Sequence, residues 1–190
     1  MAKRRPIPGL NDDTSYAAAA ARVVAIRASE LAENSAGVLD TQDIERLHDM
    51  RVATRRLRAA LEVFEPCFPR KRFKAALREV KALADALGER RDRDVTLVAL
   101  DGFCAELGRA DVRGVRSLIA QVRDEQAEAN QALAAYVSEE RLAVLAERLD
   151  ELVRAAESLV GGAEPELEAP AAEAPAEPTV AVSVNGGGAE

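Results

Sequence analysis

Between Thr14 and Val160 apolar residues return every three or four positions, and the pattern breaks only near prolines and glycines. That period commits a chain to amphipathic helices, whose apolar sides must be buried against one another. No stretch alternates with a period of two, so nothing competes for a strand. Residue types agree with the period: Ala, Leu, Arg and Glu dominate, aromatics make up 3% and Trp is absent, a palette of strong helix formers. The reading is an all-α fold, an antiparallel bundle of about six helices.

Breakers and caps set the expected boundaries. Pro6, Pro8 and Gly9 make residues 1–11 a flexible basic arm. Asp13 or Thr14 can cap a first helix that reaches Asn34 and ends before Gly37. Asp40 or Thr41 can cap a second, which runs to Glu65 ahead of Pro66 and Pro69. A third is expected from Arg70 to Leu87 with Gly88 as its stop, and a fourth from Asp92 or Asp94 to Leu107. A fifth covers 111–137, and Ser138 caps a sixth that ends before Gly161. One helical domain thus spans 12–162. Residues 163–190, rich in Pro, Ala and Glu, hold too little apolar surface to pack and are expected to be disordered.

Several function classes fall away. No run approaches the roughly 18 apolar residues of a membrane span, so the chain is expected to be cytoplasmic with no membrane partner. Cys67 and Cys104 form no CxxC pair, and the single histidine cannot complete a zinc set with them; both read as small core hydrophobes in a reducing compartment. Glu45 and His48 make an E-x-x-H pair, but a di-iron bundle needs a second pair and further carboxylates. Neither a P-loop nor a nucleophile set beside a base is present. The expectation is a protein that is no enzyme and carries no cofactor or metal.

The segment HDMRVATRRLRAAL, 48–61, stands out in a chain of formal charge −7. On a helical wheel Met50, Ala53, Leu57, Ala60, Leu61 and Phe64 share one side, which faces a core. His48, Arg51, Arg55 and Arg58 share another. The third helix sets Phe73, Leu77, Val80, Ala84 and Leu87 on one face and Lys74, Arg78 and Lys81 on another, with Arg70 one turn earlier. From Arg46 to Lys81 there are eleven bases against four acids. A charged helix face is ordinarily solvated and balanced by acids at i±4. Here no acid stands three or four residues from Arg55, and Arg58 has only Glu62. Two such helices side by side build a positive groove, and arginine's planar fork suits a phosphate-bearing anion. His48 at its head can donate to the same anion; the plainer reading of a lone, partly buried histidine is a bond to a carbonyl.

HDMRVATRRLRAALEVF and, further on, LGERRDRDV resemble the signature of the CHAD family, the conserved histidine α-helical domain. The pattern is met by His48, Arg51, Val52, Arg55, Arg56, Leu57 and Arg58, then by Leu87, Gly88, Arg91, Asp92, Asp94 and Val95. LAAYVSEERLAVLAERLDEL resembles the next helical hairpin of that family, so the likeness spans about residues 14–160. The resemblance implies an all-helical fold and binding of inorganic polyphosphate, with association to polyphosphate granules. It adds Arg56 and Arg91 to His48, Arg51, Arg55, Arg58, Arg70, Lys74, Arg78 and Lys81 as the binding set. Asp92 and Asp94 read, from the residues alone, as caps and salt-bridge partners. Two rival readings are a nucleic-acid binder, for which polyphosphate would be the stronger competitor, and a structural coat protein of storage granules.

The family domain usually has two similar helical halves, and the likeness covers the first. A homodimer is the simplest replacement for the second, with Leu118, Val122, Leu133, Leu142, Leu145 and Leu149 as its expected contact.

Overall fold

The computed structural model describes residues 5–108 and 112–160, and among these there is no strand. Five helices follow one another: α1 (Tyr16–Glu33), α2 (Ile44–Val63), α3 (Arg70–Glu106), α4 (Val112–Ala134) and α5 (Glu139–Glu157), with a short 3-10 turn, Glu65–Cys67, before α3. Helix α1 packs on α5 and α2, α2 on α3, and α3 on α4 and α5. Their shared interior holds Val24, Leu47, Met50, Leu57, Leu61, Leu87 and Leu152, all closed to solvent. A second, smaller cluster, Leu97, Ile119 and Val122, joins the far half of α3 to α4.

Serines cap two of the helices. Ser15, not Asp13 or Thr14, accepts from the Ala18 N–H at 3.2 Å, and Ser138 accepts from the Arg141 N–H at 3.4 Å. Helix α2 begins later than its acids suggested. Asp40 accepts from the Gln42 N–H at 2.8 Å in the preceding turn, and Asp43 holds Arg46 at 2.9 Å without capping α2. Gly37 turns the chain at φ +71°, where a side chain would be strained and would also strike Arg46.

The largest departure from expectation is α3. Gly88 does not stop it, and the third and fourth helices are one helix of 37 residues, about 55 Å long. The reason is the spacing of its buried residues. Phe73, Ala76, Val80, Leu83, Leu87, Arg90, Asp94 and Leu97 follow one another at alternating steps of three and four, a heptad seam that runs unbroken past the glycine. A mid-helix glycine costs only about 1 kcal/mol against alanine, less than the burial this seam secures on both sides. Asp92 and Asp94 are therefore interior helix positions, not caps.

Two seam positions are charged. Arg90 and Asp94 are fully enclosed and paired with each other, and Gln126 of α4 donates to the second Asp94 oxygen at 2.6 Å. Asn130, one turn further along α4, donates to the Leu39 carbonyl at 3.0 Å. This polar seam ties α3 and α4 to the loop before α2.

The arm is held down from Arg5 onward. Its backbone N–H donates to Glu30 at 2.8 Å and its guanidinium reaches Glu33 at 2.6 Å, while Arg22 donates to the Gly9 carbonyl. Glu30 is itself buried with Arg27 at 2.7 Å. Burial pushes the Glu30 carboxyl up. The bonds from the Arg5 N–H and Arg27, with the charges of Arg27 and Arg56, outweigh that and hold it below the ordinary glutamate value.

The apolar stripes expected to meet a second copy are used within the chain. Val122, Leu133, Leu145 and Leu149 are buried and Leu142 is half-buried; of the six only Leu118 is exposed. Cys67 lies in the main core and Cys104 packs beside the smaller cluster, both as thiols. The tail 163–190 falls outside the described residues. No helix among those described is long and apolar enough to cross a membrane.

Candidate anion-binding groove

Helix α2 divides as its wheel required. Met50, Ala53, Leu57, Ala60 and Leu61 are buried on one side and Phe64 is half-buried. On the other side Arg51, Arg55 and Arg58 line a cavity of about 490 Å³ between α2 and α3. His48, one turn before Arg51, is half-buried and lies outside that lining.

The opposite wall is not basic. Ala84, Asp85, Gly88, Glu89 and Asp92 of α3 complete the cavity, so three guanidiniums look across at three carboxylates. The acids missing at i±4 along α2 come from the neighbouring helix. They stand back from the arginines: among the described residues no carboxylate lies within ion-pair distance of Arg51 or Arg55. Charges at that separation still attract through the cleft, which offsets part of the repulsion within the arginine row. Gly88 leaves the floor open, since a Cβ there would meet no atom within 4 Å.

Arg58 is partly satisfied. Glu62 takes Arg58 at 3.1 Å and Lys81 at 3.2 Å, bridging the two helices. The hydrogen bond from Arg58 acts most strongly on the Glu62 carboxyl; burial opposes it, but with the bond from Lys81 and the charges of both bases the carboxyl is held below its ordinary value. From Lys81 the same side of α3 continues to Arg78 and Lys74, with Arg70 at the start of the helix. Arg70, Lys74 and Arg78 are all exposed. The cavity itself stops short of these bases, which lie along α3 outside its lining, while Glu89 and Asp92 belong to that lining.

Of the ten expected binding residues only Arg51, Arg55 and Arg58 line the cavity; His48, Arg70, Lys74, Arg78 and Lys81 lie outside it, and Arg56 and Arg91 are turned to other partners. Arg56 lies on the α1 side of α2, where its charge acts on Glu30. Arg91 is half-buried and donates to the Ile44 carbonyl at 3.4 Å, pinning the first turn of α2 to α3. Neither lines the cavity. Asp85, Gly88, Glu89 and Asp92 were not anticipated as lining, because nothing along a single helix announces what its neighbour presents. Phe68 and Phe73 are buried and stacked on each other at 6.2 Å, and Phe64 packs against Tyr16, so no aromatic ring lines the cavity. No group of three or more His, Cys, Asp or Glu among the described residues is placed to hold a metal ion.

A family model described as the CHAD domain matches residues 22–185. No curated protein and no solved structure matches the chain.

Proposed function

The chain belongs to the CHAD domain family, and from that premise and the α2–α3 groove we propose that it binds inorganic polyphosphate without chemical turnover. The observation that carries the reading is the row Arg51, Arg55 and Arg58 on one wall of an open cavity, two of its three guanidiniums lacking a carboxylate partner among the described residues. Each guanidinium can grip one phosphoryl group through two parallel charge-assisted bonds.

The acids give the ligand a direction. Asp85, Glu89 and Asp92 repel a polyanion from the α3 wall and from the far end of the cleft. A phosphate chain is thereby held against α2 and leaves past Lys81 toward Arg78, Lys74 and Arg70. His48, Arg56 and Arg91 serve this reading as support for the α2 frame more than as direct ligands. A single-stranded nucleic acid is the weaker fit, because such strands are held by stacking on aromatic side chains as well as by charge.

A competition assay tests the choice of ligand. Polyphosphate should displace labelled single-stranded DNA from the protein, and DNA should displace labelled polyphosphate poorly. The reverse order would overturn the reading.

A further inference from the structure

The side that α3 turns toward α2 changes character along its length. It begins with Lys74, Arg78 and Lys81 and passes Asp85, Gly88 and Asp92. It then runs on at the same three- and four-residue steps through Val95, Ala99, Gly102 and Glu106. Helix α2 reaches only as far as Arg91, which meets Ile44, the first residue of α2. Beyond that point the row is open: Val95 is 52% exposed, with Val98 at 58% and Phe103 at 51% beside it. The segment is packed, not frayed, because Leu97, Leu100 and Cys104 on its other side hold it to α4.

We propose that this open face of α3 seats a basic amphipathic helix of a partner protein, laid end to end with α2. Its apolar stripe would rest on Val95, Ala99 and Phe103, and its Lys or Arg would lie toward Asp92 and Glu106. Two features select that occupant. From Val95 to Glu106 α3 carries no Lys or Arg, and Asp92 and Glu106 stand at the two ends of the open row, while Arg91 and Arg93 beside Asp92 are turned to the Ile44 carbonyl and to Glu125. The same row one stretch earlier is already faced by a helix of this kind, since α2 sets its arginines opposite Asp85, Glu89 and Asp92. Small side chains at Ala99 and Gly102 permit a close helix approach. A second copy offers the same face with the same acids and would set like charges against each other.

The inference does not depend on polyphosphate binding, and a parallel polyphosphate titration lets either fail alone. The probe is a synthetic helical peptide of about four turns with a Leu/Ala stripe flanked by arginines, and a twin with glutamates in their place. Both are titrated into the full chain by fluorescence anisotropy. The arginine peptide should bind one to one, about tenfold or more tighter than its twin. Ala99→Glu should abolish that binding with helicity unchanged, and Glu106→Lys should move the preference toward the glutamate twin. Binding of neither peptide, equal binding of both, or binding indifferent to Ala99→Glu would overturn the proposal. So would a parent chain that sediments as a dimer dissolved by Ala99→Glu, since the face would then be covered by a second copy.

Discussion

Asp94→Ala should cost this fold more than the loss of any surface acid, because it strands a guanidinium in the interior. Arg90 and Asp94 are both fully enclosed, so removing one partner leaves an uncompensated buried charge, which costs about 3–5 kcal/mol. Gln126 loses its acceptor on Asp94 as well, which adds about 1 kcal/mol. The sum is a large share of the roughly 5–15 kcal/mol that holds a domain folded. At about 2–4 °C per kcal/mol for a domain of this size, the melting temperature should fall by roughly 10–20 °C. Replacing both partners with apolar residues of similar bulk, Arg90→Met with Asp94→Leu, should restore most of the loss, because the penalty belongs to the unpaired charge and not to the site. Urea unfolding followed by far-UV circular dichroism measures both variants. A single variant that loses less than about 1 kcal/mol, or a double variant no better than the single, would refute the reasoning.

Gly88→Ala should stabilise the protein by about 0.5–1 kcal/mol, since a helix-interior glycine is replaced where a Cβ meets nothing; thermal melting checks it. Glu62→Gln removes the carboxylate shared by Arg58 and Lys81 and should raise polyphosphate affinity severalfold while stability barely moves, because these pairs are exposed. A titration across pH should show affinity rising as acid protonates Glu62, below the ordinary glutamate range, and Glu62→Gln should flatten that rise. The buried Glu30 has a folded pKa below its unfolded one. Its contribution to stability is therefore complete above the unfolded value and lost as pH falls through the lower folded value. Acid unfolding of parent against Glu30→Gln, which lacks that limb, checks the sign.

Much of the bundle was legible along the chain, because the helical period and the cap at Ser138 are local properties. The core face of α2 was readable for the same reason. Gly88 misled where it was weighed as a punctuation mark against a seam whose alternating steps, from Phe73 to Leu97, cross it without a break. Arg90 and Asp94 hid that seam, since charged residues at core positions look like surface. The basic row of α2 was also legible, but its counter-charge was not. Asp85, Glu89 and Asp92 belong to another helix, and only the antiparallel register of α2 and α3 sets them opposite the arginines. Arg56 could have been separated earlier, because it is well off the row of Arg51, Arg55 and Arg58 on the wheel. The long apolar stripes of α4 and α5 suggested a second chain because their partners within this one were not apparent from spacing alone.

The account rests on the arginine row, and the most direct test is a titration with polyphosphate of defined length at a series of salt concentrations. The parent chain should bind tightly at low salt and weaken steeply and log-linearly as salt rises. Changing Arg51, Arg55 and Arg58 together to Gln should abolish binding, or leave a weak residue whose salt slope is shallower by about 2–3, as expected when three phosphates are no longer neutralised. Helicity should be unchanged, because these side chains point away from the buried face of α2. A triple variant that binds like the parent with the same salt slope, or one that no longer folds, would contradict the assignment of this row as the binding site.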